Sequence, residues 1–449
     1  MNSTVQTLET DQNCNKWQSF NWHKASRSLE KTQARIVKAY AEGNTEKIAA
    51  LQKLITFSFN SAAIAVKNTA ESKGSKTAGV DDKHWNDDNE KYKAVFMLRE
   101  KPYKHQPYKR IYIKKPNGGI RPLSIPTLQD RAKQALCRYA LEPLAECTAD
   151  KNSFGFRTGR RTHDALAECI KVLEGRAVWI MECDIERCFD NLDHRWLLKY
   201  IPIDQQTLHQ ILTCGYVDKK SNVKRIWPTT GASQGGPLSP VLCNMALDGL
   251  YEELKQHYSG AELIRYADDF VVTSSKYESM AKVLPVIEGF LRKRGLLLAR
   301  EKTFITHVSK GFDFLGCTIT KNDDVITIRP SEKSVKRIIT KLEKKLLSSA
   351  NARLETLAED LNALLRGWAN YFQYYDSMSI YKYIDDTLLK MLYLHNISPD
   401  IYNYLYRTES TTLKNYEQVK HEANPFDPAW QQYFEARANL DNTEYGEWF

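Results

Sequence analysis

The chain has 449 residues, enough for two to four domains of about 100–200 residues each. Its hydrophobic content of 42% and charged content of 27% are typical of a globular protein and exclude a disordered one. No run of about 18 apolar residues occurs, which excludes a membrane-spanning helix, and the first residues lack the pattern of a secretory signal. Nine cysteines without a C-x-x-C pair favour reduced thiols over a disulfide framework, so we expect a cytoplasmic protein.

The net charge of +9 is unevenly distributed. Residues 99–121 contain eight basic residues and one acid, and residues 331–345 contain six basic residues and two acids. Residues 398–449 carry nine acids against four basic residues. The two basic stretches predict two walls of a groove that follows a phosphate backbone, although either stretch alone could be a solvated face.

Apolar periodicity and turn residues predict the elements in chain order. Two helices are expected over residues 22–70, separated at Gly43-Asn44, and a hairpin with strands over 110–114 and 120–125 has Pro122 near a sheet edge. A helix follows over 130–145, and a short strand over 178–184 ends in Asp184. Residues 263–273 predict a hairpin around Asp268-Asp269, and residues 331–365 predict a long helix broken near 348–351.

Three acidic residues stand out because they lie at the ends of predicted strands. Asp184 closes one strand, and Asp268 and Asp269 lie between two apolar runs. Crowded carboxylates repel, so this arrangement makes sense when divalent cations neutralise it. Carboxylates from neighbouring strands can hold two Mg²⁺ ions for phosphoryl transfer. The alternative is an exposed acidic turn.

Seven ordered blocks carry a resemblance to a known family. They are RPLSIPTLQDRAKQAL (121–136), SFGFRTGRRTHDAL (153–166), ECDIERCFDNLDH (182–194), GASQGGPLSPVLCNMAL (231–247), RYADDFVV (265–272), GLLLAREKTFI (295–305) and GFDFLGCTI (311–319). This set resembles the group II intron-encoded reverse transcriptases, and the segment RGWANYFQYYDS (366–377) resembles the start of their maturase domain.

The resemblance implies an α+β right-hand polymerase, with fingers, a palm of antiparallel sheet backed by helices, and a helical thumb. We expect an N-terminal helical extension (1–75), fingers (76–175), palm (176–325, interleaved with the fingers), thumb (326–365) and a small maturase-like region with an acidic tail (366–449). No cysteine follows Cys317, so we expect this form to lack the HNH-type endonuclease that some family members carry.

By matching position, the resemblance also implies residue roles. Asp184, Asp268 and Asp269 would be the catalytic, metal-binding triad, and Lys302 could protonate pyrophosphate. Phe189 would exclude the 2′-hydroxyl of a ribonucleotide, Gln234 would contact the incoming nucleotide, and Arg121 with Lys114 or Lys115 would hold its triphosphate. Predicted nucleic-acid contacts are Arg157, Arg160, Arg161, Lys333, Lys336, Arg337, Lys341 and Arg366, with surface charge as the alternative for the first three.

Three functions are open at this point. The leading one is an RNA-directed DNA polymerase that binds its intron RNA as a ribonucleoprotein, assists splicing and retrohoming, and uses an RNA template, a DNA primer or target and dNTPs. The second keeps the polymerase but serves defence or DNA repair. The third is an RNA-binding splicing cofactor without polymerase activity, against which the complete triad argues. His163 and His194 are expected to be packed or capping side chains.

Overall fold

The computed structural model of the chain describes residues 12–100, 103–114, 118–218, 225–348 and 353–440. Within these ranges no single helix is long and apolar enough to cross a membrane. The bent helix pair Thr45–Phe57 and Phe59–Glu71, taken together, has the length and composition of a membrane-spanning segment.

The first part of the chain is a helical layer built against one long central helix. Helices α1 (Trp22–Ala41), α2 (Thr45–Phe57), α3 (Phe59–Glu71) and α4 (Asp88–Met97) pack with α5 (Leu128–Thr148) around a shared apolar core. The prediction of two helices over residues 22–70 is wrong, because this range contains three. The chain is extended at Ser58, whose hydroxyl accepts a hydrogen bond from the Ser61 amide and so starts a third helix.

A second element of the fold is a small three-stranded sheet. Strands β1 (Tyr108–Lys114) and β2 (Ile120–Ile125) form the predicted antiparallel hairpin, and β1 also pairs in parallel with β4 (Tyr216–Val217). The strand order β2-β1-β4 leaves β2 at an edge. Pro122 lacks a backbone N–H, so the edge position that the sequence predicts for it is confirmed.

The central sheet is antiparallel and four-stranded, in the order β5-β6-β3-β7. Its strands are β3 (Trp179–Asp184), β5 (Glu262–Tyr266), β6 (Asp269–Ser274) and β7 (Phe304–His307). The predicted strand over 178–184 and the predicted hairpin over 263–273 are therefore both present. One face packs on an apolar core shared with α5 and with α7 (Cys188–Asn191), α8 (His194–Tyr200), α9 (Gln205–Thr213), α10 (Ser239–Leu247), α11 (Leu250–His257) and α12 (Tyr277–Arg292).

The other face of the central sheet packs on elements from later in the chain. These are the sheet β8 (Phe312–Phe314), β9 (Cys317–Asn322) and β10 (Val325–Pro330), and the helices α13 (Glu332–Ser348), α14 (Leu354–Phe372) and α15 (Met378–Leu394), together with α6 (Thr162–Glu174). The last described helix is α16 (Gln431–Leu440). The predicted break near 348–351 falls between α13 and α14, mostly outside the described residues.

Candidate active site

The three predicted catalytic carboxylates lie at one end of the two inner strands of the central sheet, which we call the carboxylate edge. Asp184 ends β3 and is paired with Asp269, the first residue of β6. Residues paired across an antiparallel ladder have Cα atoms about 4.5–5.5 Å apart. Tyr266 also pairs with Asp269, which leaves Ala267 and Asp268 as a two-residue hairpin turn that we call the acidic turn. The fold thus brings all three carboxylates together.

The acidic turn has a strained backbone that its surroundings support. Ala267 has a φ of +60°, a left-handed conformation that costs a non-glycine residue about 1–2 kcal/mol. Behind it, the fully buried Arg265 makes an ion pair with Asp248 and donates to the Asn244 Oδ1 (3.1 Å) and to the Ala267 carbonyl (3.3 Å). Gly155 packs so closely that a Cβ there would lie 2.3 Å from the Ala267 nitrogen. These contacts hold Asp268 in place.

The carboxylates perturb one another. Desolvation, followed by the charges of Asp268, Asp184 and Glu182, raises the pKa of Asp269 to about 7. The negative charges of the neighbouring carboxylates favour the protonated form of Asp269, which is why they raise its pKa. Desolvation also raises the pKa of Asp268, against the positive charges of Arg121 and Lys302. The edge therefore carries an excess of negative charge.

A cation fits this excess of negative charge. Carboxylate oxygens on adjacent strands are the ligands that Mg²⁺ prefers, and one cation would relieve the repulsion between Asp184, Asp268 and Asp269. In the part of the chain that the structure describes, no three His, Cys, Asp or Glu side chains are closed into a preformed metal cage. Instead, the Lys302 ammonium makes an ion pair with Asp184, and this bond raises the pKa of Lys302.

The predicted nucleotide-binding residues Arg121 and Gln234 are brought together beside the acidic turn. The Arg121 Nε donates to the Gln234 Oε1 at 3.0 Å, and the Ser124 amide donates to the Gln234 carbonyl at 2.9 Å. Gly235, at a φ of +110°, packs against the Ser124 carbonyl, where a Cβ would lie at 2.9 Å. Lys114 lies further along the hairpin, opposite Ile120, and is exposed. Lys115 lies outside the described residues.

Phe189, the predicted steric filter, follows the carboxylate strand β3 in the chain. It belongs to the short helix α7, five residues after Asp184, and its carbonyl accepts a hydrogen bond from the Ala232 amide at 2.7 Å. Its half-buried ring makes an edge contact with Phe156 at a centroid distance of 6.1 Å. One loop thus holds the backbone of Phe189 and another contacts its ring, as a steric filter would require.

The prediction that Arg157 and Arg160 contact a nucleic-acid template is wrong, because both guanidinium groups are buried in the protein. Arg157 binds both oxygens of Glu146, at 2.9 and 2.7 Å. The Arg160 Nη2 lies 2.9 Å from the same carboxylate and donates to the Ala423 carbonyl at 3.0 Å. Arg161 donates to the Arg437 carbonyl at 3.0 Å.

The basic residues of α13 lie on a different face from its apolar residues. Ser334, Ile338, Leu342 and Leu346 are buried, whereas Lys333 and Lys336 are exposed and Arg337 and Lys341 are half-buried. Lys333 makes an exposed ion pair with Asp313 at 3.0 Å. Arg366 on α14 is exposed and lies 5.3 Å from the Tyr406 ring centroid. Their contacts with nucleic acid stay predictions.

The two histidines and the aromatic residues of α14 are structural. The ring of His163 is buried with its Nδ1 2.5 Å from the Tyr375 hydroxyl, and desolvation lowers its pKa to about 3. The Nε2 of His194 bonds to the Gly231 carbonyl at 2.8 Å. Trp368 and Phe372 are both buried, with ring centroids 4.5 Å apart. The packed role expected for both histidines agrees with these contacts.

The supporting residues Arg265, Asp248, Asn244 and Gly155 were not found from the sequence. A signal existed for Arg265, because it is a charged residue inside the apolar strand that leads directly into the acidic turn. A charge in that position needs a buried partner. The partner, Asp248, could not be read from the sequence because it lies on a separate loop 17 residues earlier.

Three family models match the chain. They are "Reverse transcriptase (RNA-dependent DNA polymerase)" over residues 113–319, "N-terminal domain of reverse transcriptase" over 17–98, and "Group II intron, maturase-specific domain" over 335–395. Together they cover most of the chain. The third begins inside the range predicted for the thumb, and the predicted domain boundaries stay predictions.

Individual proteins are also similar. The group II intron-encoded protein LtrA of Lactococcus lactis is 32% identical over 271 residues, which are 58% of this chain and 44% of LtrA. Protein YkfC of Escherichia coli is 29% identical over 60% of this chain and 84% of its own. Apo telomerase from Candida tropicalis aligns with a TM-score of 0.42 and 16% identity, over 76% of this chain and 69% of that one. The chain therefore spans less than half of LtrA.

Proposed function

We propose that the chain is an RNA-directed DNA polymerase of the group II intron type, because reverse transcriptase models match residues 113–319 and 17–98 and a group II intron maturase model matches residues 335–395. Membership of the family implies that the reaction depends on a divalent metal. The observation that carries the proposal is the pairing of Asp184 with Asp269 beside the strained turn that presents Asp268. Strain is retained where the surrounding structure supports it, and it clusters at active sites.

The residues of the cleft divide the work of nucleotide addition. Asp184, Asp268 and Asp269 would hold two Mg²⁺ ions, which would lower the pKa of the primer hydroxyl and neutralise charge on the pyrophosphate. The Arg121 guanidinium, with the Lys114 ammonium beyond it, would bind the triphosphate oxygens. The Phe189 ring would exclude a ribose 2′-hydroxyl. Lys302, whose pKa is raised, stays protonated at neutral pH and would donate a proton to the departing pyrophosphate.

The RNA partner follows from the later part of the chain. The maturase-specific match implies binding to RNA, and the similarity to an intron-encoded protein supports a group II intron RNA. We propose that the chain assists splicing of that intron and copies it during retrohoming, with a DNA primer or target and dNTPs as its other partners. The exposure of Lys336 on α13 and of Arg366 on α14 supports this proposal, because exposed cations can bind the phosphates of an RNA backbone. Reduced cysteines are consistent with a cytoplasmic setting. Neither a defence role nor a role without polymerase activity is favoured.

Primer extension on an RNA template tests the polymerase. The double variant Asp268→Asn/Asp269→Asn should lower the rate by at least about 100-fold, because the negative charge of the acidic turn is lost. The chain offers a matched control in a second Asp-Asp hairpin turn, Asp323-Asp324, between β9 and β10. The same double change there should leave the rate within twofold of wild type. Equal loss in both double variants, or no loss in the first, would overturn the catalytic assignment.

A further inference from the structure

A buried carboxylate ties the last described segment of the chain to the active-site region. We call residues 416–437 the strap. Asp164, near the start of α6, has no exposed surface and accepts hydrogen bonds from three groups of the strap. These are the Tyr416 hydroxyl (3.0 Å), the Val419 amide (2.6 Å) and the Arg437 guanidinium (3.1 Å). Because a buried carboxylate needs partners, the start of α6 depends on the strap.

The strap also covers the outer side of the loop that precedes α6, residues 153–161. Arg160 of this loop donates to the Ala423 carbonyl, and Arg161 donates to the Arg437 carbonyl. The Phe434 ring packs on Gly159, where a Cβ would lie 2.4 Å from the ring. Arg160 and Arg161, two of the three arginines predicted to contact a template, therefore connect the 153–161 loop to the strap.

The inner side of the same loop touches the active site. Gly155 packs against the backbone of the acidic turn, and its carbonyl accepts from the Asn244 amide group at 2.7 Å. The Phe154 amide donates to the Arg265 carbonyl at 2.9 Å, on the strand that ends at the turn. Phe156 makes the ring contact with Phe189. One loop thus separates the strap from both the carboxylates and the steric filter.

From these contacts we propose that the strap is a positioning element for nucleotide addition, and that Arg437 is its central positioning residue. Arg437 acts through Asp164 on the 153–161 loop, and the loop in turn sets the acidic turn and the Phe156–Phe189 contact. No strap residue reaches the carboxylate edge itself in the described contacts. The inference rests on the proposed polymerase activity.

The test compares wild type with Arg437→Met in single-turnover primer extension, using dNTPs and rNTPs in parallel. The change keeps an apolar stem but removes the guanidinium that Asp164 binds. We expect the kcat per active site to fall about 10-fold, because a displacement of less than 1 Å at the reacting atoms is costly. The KM for dNTP should stay within about threefold of wild type, and the preference for dNTP over rNTP should fall several-fold. Arg437→Lys should restore part of the rate and part of the preference for dNTP, since an ammonium can still reach one Asp164 oxygen.

Active-site titration separates positioning from simple stabilisation. A strap that only stabilises the fold would lower the fraction of active molecules but leave their rate and sugar preference unchanged, and that result would refute the proposal. Lys420→Met is the matched control, because it removes an exposed cation of the strap that lies over the Trp430 ring, at 5.8 Å. It should behave as wild type.

A second variant covers the case in which Arg437→Met does not fold. Tyr416→Phe removes one hydroxyl from Asp164 and should shift rate and sugar preference in the same direction by a smaller factor. Unchanged values in folded Tyr416→Phe would refute the proposal. Wild-type protein that extends no primer would instead refute the polymerase activity, so the two failures are distinguishable.

Discussion

Replacing Gly155 by alanine would push a methyl group into the acidic turn. The new Cβ would lie 2.3 Å from the Ala267 nitrogen and 2.8 Å from the Tyr266 carbonyl carbon, whereas ordinary contact begins at 3.4 Å. The loop and the turn must therefore separate by about 1 Å. Both sides are backbone, so no flexible side chain can absorb the displacement. The turn carries Asp268, and the displacement reaches the carboxylate edge directly.

The expected loss of catalytic rate is large for the addition of a single methyl group. A displacement of about 1 Å of catalytic groups costs roughly 100-fold in rate. Overpacking should cost about 1–3 kcal/mol of stability, which a protein of this size can tolerate. Single-turnover primer extension with saturating dNTP gives the rate, and urea unfolding gives the free energy of unfolding. We expect a folded protein with a roughly 100-fold lower rate.

The control is Gly260→Ala, just before β5, where an added Cβ meets nothing within 4 Å. It should change neither rate nor stability by a measurable amount. If Gly155→Ala extends primers within threefold of wild type, the acidic turn does not need the close packing that the structure shows. The reasoning from backbone contact to rate would then be refuted.

Three further predictions concern single side chains. Phe189→Ala should incorporate ribonucleotides at least about 10-fold more readily relative to deoxynucleotides, and unchanged discrimination in a competition assay would contradict the filter role. Lys302→Met should lower kcat by about 10²-fold or more with little change in KM; a wild-type single-turnover rate would show that its ion pair with Asp184 has no catalytic consequence. The bond between His421 and Glu168 (3.0 Å) raises the pKa of His421, so its stabilisation is complete below about pH 6.5 and is lost as pH rises through the raised value. Wild type should therefore lose up to about 1 kcal/mol more than His421→Gln between pH 6 and 8.5, and equal losses in thermal melts would exclude this contribution.

The elements that carry chemistry were predictable because their signals are local. The acidic turn follows from two apolar runs around Asp268-Asp269, and the edge position of β2 follows from Pro122. The separate helix α3 was missed because the sequence stays apolar on both sides of Ser58, where helix α2 ends and helix α3 begins. Its only signal was the capping preference of serine, which a periodicity argument overlooks.

The error at Arg157 and Arg160 has a different origin. Their charge and spacing are those of a phosphate-binding loop, and nothing within the motif reveals a partner. Glu146 lies 11 residues from Arg157, and Ala423 lies 263 residues from Arg160. A guanidinium binds a carboxylate and a phosphate with the same geometry, so the sequence cannot distinguish an internal partner from an external one. Only the tertiary structure makes that distinction.

The pairing of Asp164 with Arg437 has a consequence for biosynthesis. The two residues are 273 positions apart. At about 5–20 residues per second, a ribosome needs roughly 14–55 s to make the intervening chain. During that interval the emerging chain holds the Asp164 carboxylate without its partners from the strap. We therefore expect a nascent chain to fix the 153–161 loop in place, and to reach its full rate of nucleotide addition, only when the strap has left the ribosome.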